Sequence, residues 1–488
     1  MSWTGITLPS SASGSPRSDS APAPAALIST ELELPVVAAD GTPPLPDVFT
    51  ALWTDLESRG WTPGEFSVTK THPSEGPSIS ANQAMSTDTG PVIELVTSPS
   101  KTLQAVATQM TSLQAEARAA LDRRGYMMLG SGVHPGLRPI PADYYRYRTP
   151  RPAYDYAIKV RGWRHWTIVD KAAVQELVDV SFDDAPRAIR VLHRLTGLMN
   201  FVLRNDPSLY GRGERRLSVR SLSWRGHVPH AGPFADDARR VVIPQSEIES
   251  WHDYLSLLWT SGKMFLVGTK NHGQAYVPEH PTFMEFLSRA PRGGWEGRLL
   301  DGSPALVVPD ITHVVATDWS YMGFARIRWK WRPDPPSIEE IAAAWSSGEI
   351  ETLLRRSLEK VVIENRGTSA QPPGEALVSL ALVAGLLGNL DEAMELASNG
   401  HYSFWRDLLD ASTLLPLQSV VLGRSVPALA KEMIAIARRG LIRRGESSPD
   451  QWLGPLLQRI EDGRSPSERR LDELARGGTA EMVTSVRL

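Results

Sequence analysis

A chain of 488 residues can hold two or three domains or one large enzyme domain with insertions, and its 41% hydrophobic and 22% charged residues exclude a disordered or fibrous protein. With 52 basic against 55 acidic residues the formal net charge is -3, so no global field recruits nucleic acid or an anionic membrane. Cysteine is absent, which excludes disulfides, thiolate nucleophiles and cysteine-based zinc sites and fits a reducing cytoplasm.

The first 26 residues are rich in Ser, Ala and Pro without a basic start and apolar core, so they read as a disordered tail and not as a secretory signal. The longest apolar run, residues 376–387, falls far short of the roughly 20 residues that span a bilayer. A soluble, cytoplasmic protein is expected.

Residues 27–36 form the first predicted strand, with Glu31 and Glu33 on one face and Leu32 and Leu34 on the other, because strand side chains alternate. Residues 40–50 and 72–91 are predicted loops, separated by a short amphipathic helix over 48–59. A second strand over 92–97 places Glu94 on a sheet face. Carboxylates spaced in this way can collect Mg²⁺ or Mn²⁺, which favour oxygen ligands and need few from protein when a nucleotide supplies the rest. The alternation alone equally suits a half-exposed strand with a solvated face. From Ser100 as N-cap, Leu103, Val106, Met110, Leu113, Ala117 and Leu121 recur at helical spacing until Gly125.

A short strand over 126–129 enters the turn from Gly130 to Pro135. Pro135 stands where a dinucleotide fingerprint needs its third glycine, and the chain has no phosphate loop ending in Gly-Lys-Ser/Thr, so the glycines predict close backbone packing. Residues 136–166 are dense in aromatic and basic side chains and are predicted as a loop packed on the core. A strand over 174–180 puts Gln175 and Asp179 on one face. Asp183 or Asp184, followed by Pro186, opens a helix that runs to Val202 and stops at Asn205-Asp206-Pro207. In the segment 217–224, Arg220 could meet an anion or a carboxylate.

Helical patterns follow over 246–259 and 283–287. Residues 324–331 then alternate as a strand, with Arg326, Arg328 and Lys330 on one face. Three such cations repel one another unless an anion or the acidic strands lie before them; an exposed edge strand is the alternative. From Pro335 the pattern is helical, over 337–347, 350–363, 374–388, 390–398, 403–412, 425–440 and 448–461, without a repeat period. His134, His165 and His313 are isolated and expected to be structural, with His313 kept as a weak candidate beside the basic strand.

Three segments, in order, resemble the glutamate-cysteine ligase family in its plant-type and bacterial carboxylate-amine ligase branch. Glu31-Leu32-Glu33, followed by the run from Asp88 through Glu94 to Pro99, is similar to the paired acidic strand and the Q-(V/L)-E-L-x-T-x-P strand. The run Ala172 to Asp179 resembles T-x-T-V-Q-V-N-x-D, leading into Asn205-Asp206-Pro207 and then the S-x-R-x-x-x-W pattern of Ser218, Arg220 and Trp224. Phe324 to Lys330 is set against F-P-E-V-R-L-K.

The resemblance implies an α+β, glutamine synthetase-like fold, a curved and largely antiparallel sheet with helices on its convex side. It divides the chain into a tail at 1–26, a catalytic core at 27–335 and a helical part at 336–488. It implies that ATP phosphorylates a carboxylate and that an amine displaces the phosphate to form an amide. On that reading Glu31, Glu33 and Glu94 hold Mg²⁺ (or Mn²⁺), and Gln175, Asp179 and Arg326 contact the nucleotide. Arg220, Arg328 and Lys330 steady the phosphoryl group and the substrate carboxylate. The partners are an amino-acid or peptide carboxylate and an amine, with no nucleic acid or membrane and a homodimer allowed.

Three departures stand out. Arg326 occupies the place of a glutamate, Leu177 that of an asparagine, and Pro333-Asp334 interrupts where the family continues to E-x-R-G. They predict altered substrates, of a natural-product or peptide-modifying kind, or else a catalytically degenerate scaffold that binds a peptide or partner enzyme.

Overall fold

The computed structural model describes residues 26–72, 82–210, 215–269, 273–317 and 321–488. The expected tail therefore lies outside the described residues, except for Ala26.

The alternating segments do become strands, and they pair into one sheet. Its order is Ala325–Trp331, Leu358–Ser369, Ala173–Val180, Ile28–Ala38, Val92–Val96, Asn82–Thr87, Ser67–Thr71 and Thr62–Pro63, with Tyr126–Met128 paired to the far end of Ile28–Ala38. Every pairing in it is antiparallel. Glu33 lies opposite Glu94, and Glu31 lies between Gln175 and Val96. Strand alternation then collects the polar side chains on one face and leaves Leu32, Leu34, Ile93, Leu95, Val174, Val178, Ile327 and Ile363, all buried, on the other. Helices Leu103–Asp122, Ala185–Leu203 and Val378–Gly388 cover that apolar face. Each such side chain contributes roughly 1.5–3 kcal/mol relative to exposure.

The C-terminal helices pack on this layer at close range. Val378–Gly388 meets Val426–Arg443 at Gly385 and Gly440, where a Cβ on Gly440 would stand 1.8 Å from the Gly385 carbonyl oxygen. Only hydrogen fits there.

Several local expectations are corrected. The helix expected over 350–363 ends at Ser357, and Leu358–Ser369 is a strand inserted between Ala325–Trp331 and Ala173–Val180. The central sheet thus takes a strand from beyond position 335. Of the expected loop over 72–91, residues 73–81 lie outside the described residues and Asn82–Thr87 is a strand. Thr102, not Ser100, caps the helix Leu103–Asp122, accepting from the Ala105 amide at 3.2 Å; Ser100 instead pairs with Ile28. The aromatic stretch contains helices Pro141–Tyr147 and Pro152–Lys159, and a separate four-stranded sheet spans 267–307. The glycine turn does pack closely, since a Cβ on Gly132 would meet the Ser369 Cβ at 2.7 Å.

Candidate active site

The polar face of the sheet carries a string of charged groups. Glu31, Glu33 and Glu94 each offer a carboxylate oxygen within 4.8 Å of the others. Their hydrogen-bond donors are neutral. Gln175 Nε2 donates to Glu31 at 2.5 Å and Glu33 at 3.1 Å, the Ala173 amide donates to Glu33 at 2.7 Å, and the Ser86 hydroxyl donates to Glu94. None of the three forms an ion pair among the described residues. Burial, reinforced by neighbouring carboxylates, raises all three; Glu33 is pushed up to about 7 by burial and Asp88. Three desolvated carboxylates with neutral donors are a donor set that fits a divalent cation.

Glu364 has the opposite environment. Although buried, it accepts a bidentate pair from Arg326 at 2.7 and 3.0 Å and single bonds from Arg328 at 3.2 Å and Arg366 at 2.8 Å. Those guanidiniums override burial and hold its carboxyl well below the usual range. Arg366 also donates to Gln175 Oε1 at 2.7 Å, so one hydrogen-bonded chain links the acidic triad to the arginine cluster.

Arg220 opens the helix Arg220–His227. Asp206 fixes that start by accepting the Val219 and Arg220 amides at 2.9 and 2.7 Å, and the buried Arg220 guanidinium donates to the Arg366 carbonyl at 2.8 Å. Asp206 thus holds the start of the helix that carries Arg220.

Two cavities meet this string. One, the larger, is lined by Glu33, Asp88, Arg220, Arg326 and Arg366 together with the rings of Tyr154, Trp163, His165, Trp224, His227 and Phe265. The other lies toward Glu31 and is lined by Leu27, Leu177, Asp179, Arg328, Lys360 and Glu364.

The expected site residues are mostly brought together. Glu31, Glu33, Glu94, Gln175, Arg220, Arg326 and Arg328 share the string, and Asp179 lines the smaller cavity, paired with Lys360 at 2.8 Å. Lys330 does not join them; it is half-buried, pairs with Glu359 at 3.0 Å and lines neither cavity. His134 is structural, its Nε2 bonding to the Val36 carbonyl at 2.9 Å while Nδ1 accepts from Gly136. His313 binds the Asp310 amide and the Gly268 carbonyl away from both cavities.

A profile of glutamate-cysteine ligase family 2 matches residues 67–485. The chain belongs to this family. No curated protein sequence matches it significantly. Among solved structures, a bifunctional glutathione synthetase from Pasteurella multocida is similar with a TM-score of 0.50 and 13% identity, covering 94% of this chain and 51% of that one. The chain thus spans about half the length of that relative, and the likeness shows a common fold. A glutamate-cysteine ligase from Francisella tularensis in complex with AMP has a TM-score of 0.48 and 10% identity, covering 94% and 87%.

The sequence E-x-R-G, whose place after Lys330 is interrupted by Pro333-Asp334, occurs further along the chain of this member of glutamate-cysteine ligase family 2, as Glu364-Asn365-Arg366-Gly367. Helices Ile338–Ser347 and Ile350–Ser357 separate it from the basic strand in sequence. Arg326 does not face the acidic strand either. It neutralises Glu364 on the adjacent strand, and two strands lie between it and Glu31.

Proposed function

We propose that the chain is an ATP-dependent carboxylate-amine ligase. The carboxylate attacks the γ-phosphorus of ATP, giving an acyl phosphate and ADP; an amine then adds to the acyl carbon, phosphate leaves, and one proton is lost. Mg²⁺ bound by Glu31, Glu33 and Glu94 would supply neutralisation of phosphate charge. The observation that carries the reading is this acidic triad, with Glu33 and Glu94 buried and Glu31 partly so, held by neutral donors only and standing between two cavities.

We place the nucleotide in the smaller cavity, where Arg328 and Lys360 offer cations for phosphates and Leu27, Leu177 and Val362 form an apolar floor for a base. The carboxylate substrate takes the larger one, with Arg220 and Arg366 fixed beside Glu33. Lys330, paired at the sheet edge, has no part in this reading.

ADP release that requires Mg²⁺, a carboxylate and an amine is the expected activity. Glu31→Gln and Glu94→Gln should each lower it at least about a hundredfold. Undiminished turnover in both variants contradicts the metal assignment, and failure to bind nucleotide in calorimetry with peptide binding retained would point to the inactive scaffold.

A further inference from the structure

One wall of the larger cavity, which includes two residues of the helix that Arg220 opens, carries polar atoms whose partners are missing. His165 is 4% exposed and His227 1% exposed, and neither ring nitrogen of His165 nor Nε2 of His227 has a hydrogen-bond partner among the described residues. Trp224 Nε1, in the same wall, has none either. Buried polar groups left in this state are destabilising, and most are satisfied in folded proteins. Three residues with this defect, converging on one cavity, mark a place where a ligand supplies the hydrogen bonds.

The surroundings state what kind of ligand. His165 and His227 meet edge to face with centroids 4.5 Å apart, Tyr154 lies 4.7 Å from His165, and Trp163 stacks on Phe265 at 4.9 Å. Ile168 and Met322 complete an apolar enclosure. Burial depresses both histidines, so the imidazoles are neutral near pH 7 and can accept or donate. The charged groups that remain in the lining are engaged, Asp88 by the Tyr154 hydroxyl at 2.7 Å and Lys171 by Asp170 at 2.5 Å. An acidic amino-acid body would find aromatic faces and neutral donors there; a planar apolar body with a hydrogen-bonding edge would fit.

We infer that the acyl substrate is an aromatic carboxylic or amino acid whose ring bears a hydrogen-bonding substituent, with the carboxylate toward Arg220 and Arg366 and the substituent at His165, His227 and Trp224. This rests on the ligase reading for the word acyl. The pocket assignment stands on its own geometry.

The test uses the full-length protein with L-tyrosine, L-phenylalanine and L-glutamate, titrated without nucleotide and followed by calorimetry and by the fluorescence of the wall tryptophans. Tyrosine should bind at least about tenfold tighter than phenylalanine or glutamate, because a site built to bond a hydroxyl penalises its absence. His165→Phe and Trp224→Phe should each erase most of the difference between tyrosine and phenylalanine while the thermal midpoint is retained. The wild-type comparison decides even if a variant fails to fold. Equal binding of tyrosine and phenylalanine, tightest binding of glutamate, or displacement of tyrosine by adenosine overturns the inference. Adding Mg²⁺-ATP and hydroxylamine separates the two claims. Tyrosine binding without hydroxamate upholds the aromatic ligand and defeats the ligase reading, whereas hydroxamate from glutamate alone upholds the ligase and defeats the aromatic substrate.

Discussion

At Glu33, burial and the charge of Asp88 raise the carboxyl from an ordinary 4.5 to about 7. A carboxyl raised in the folded state holds a proton that the unfolded chain has already lost. Its stabilisation is complete below about 4.5 and disappears as pH rises through about 7. His134, His193 and His227, pushed by burial down to about 4 from 6.5, act with the opposite sign as pH falls below 6.5. Between pH 6.5 and 8 Glu33 titrates together with Glu176, which burial also raises to about 7, and of the two only Glu33 belongs to the triad that Mg²⁺ would engage. With chelator present, the thermal midpoint should fall across this interval, and added Mg²⁺ should restore more at pH 8 than at 6.5, since binding to carboxylates competes with protons. A Mg²⁺ shift equal at both pH values would contradict the site.

Arg326 is the residue where composition and place separate. Read along the sequence it is a cation in a glutamate's position; in the sheet it is one of three guanidiniums on Glu364. Arg326→Gln leaves two of them, so a loss of about 1–3 kcal/mol in denaturant unfolding is expected, short of the ~3–5 kcal/mol of a carboxylate stripped of its only partner. Glu364 is depressed, so its contribution is present above an ordinary 4.5 and lost as pH falls; the variant should lose less stability on acidification than wild type. An unchanged acid profile would show that Arg326 does not govern Glu364.

At the scale of elements, strict alternation made Ile28–Ala38, Val92–Val96, Ala173–Val180 and Ala325–Trp331 legible, and with them Glu31, Glu33, Glu94 and Gln175. Leu358–Ser369 was not. Ile350, Leu353, Leu354, Leu358, Val361 and Val362 continue helical spacing across the true boundary, and the β-branched run Val361-Val362-Ile363 was the one contrary signal. Missing that strand hid Glu364 and Arg366, and thus the partners of Arg326. Asp206 was beyond reach for a different reason, because its role depends on a helix start that only tertiary packing fixes. The aromatic residues of 136–166 were visible as a group, yet whether they fill a core or roof a cavity depends on distant segments such as Phe265 and Met322. Helix packing makes its own prediction. Gly440→Ala places a methyl against the Gly385 carbonyl and should destabilise by about 1–3 kcal/mol or more, read as a lower denaturation midpoint at constant m. A neutral effect would mean that the two helices can part without loss.

Across the whole molecule, the family match begins at residue 67, after the strand that carries Glu31 and Glu33. That strand nevertheless lies at the middle of the sheet and pairs with Glu94 inside the matched region, so the acidic triad joins both parts of the chain. Among the described residues no helix is long and apolar enough to cross a membrane. On the proposed function this triad binds the divalent cation with which ATP is used. Titration of Mn²⁺, followed by paramagnetic resonance in the presence of a non-hydrolysable ATP analogue, addresses it most directly. Saturable binding is expected in wild type, weakening at least about tenfold in Glu33→Gln; equal binding in the two proteins would contradict a metal site at the triad.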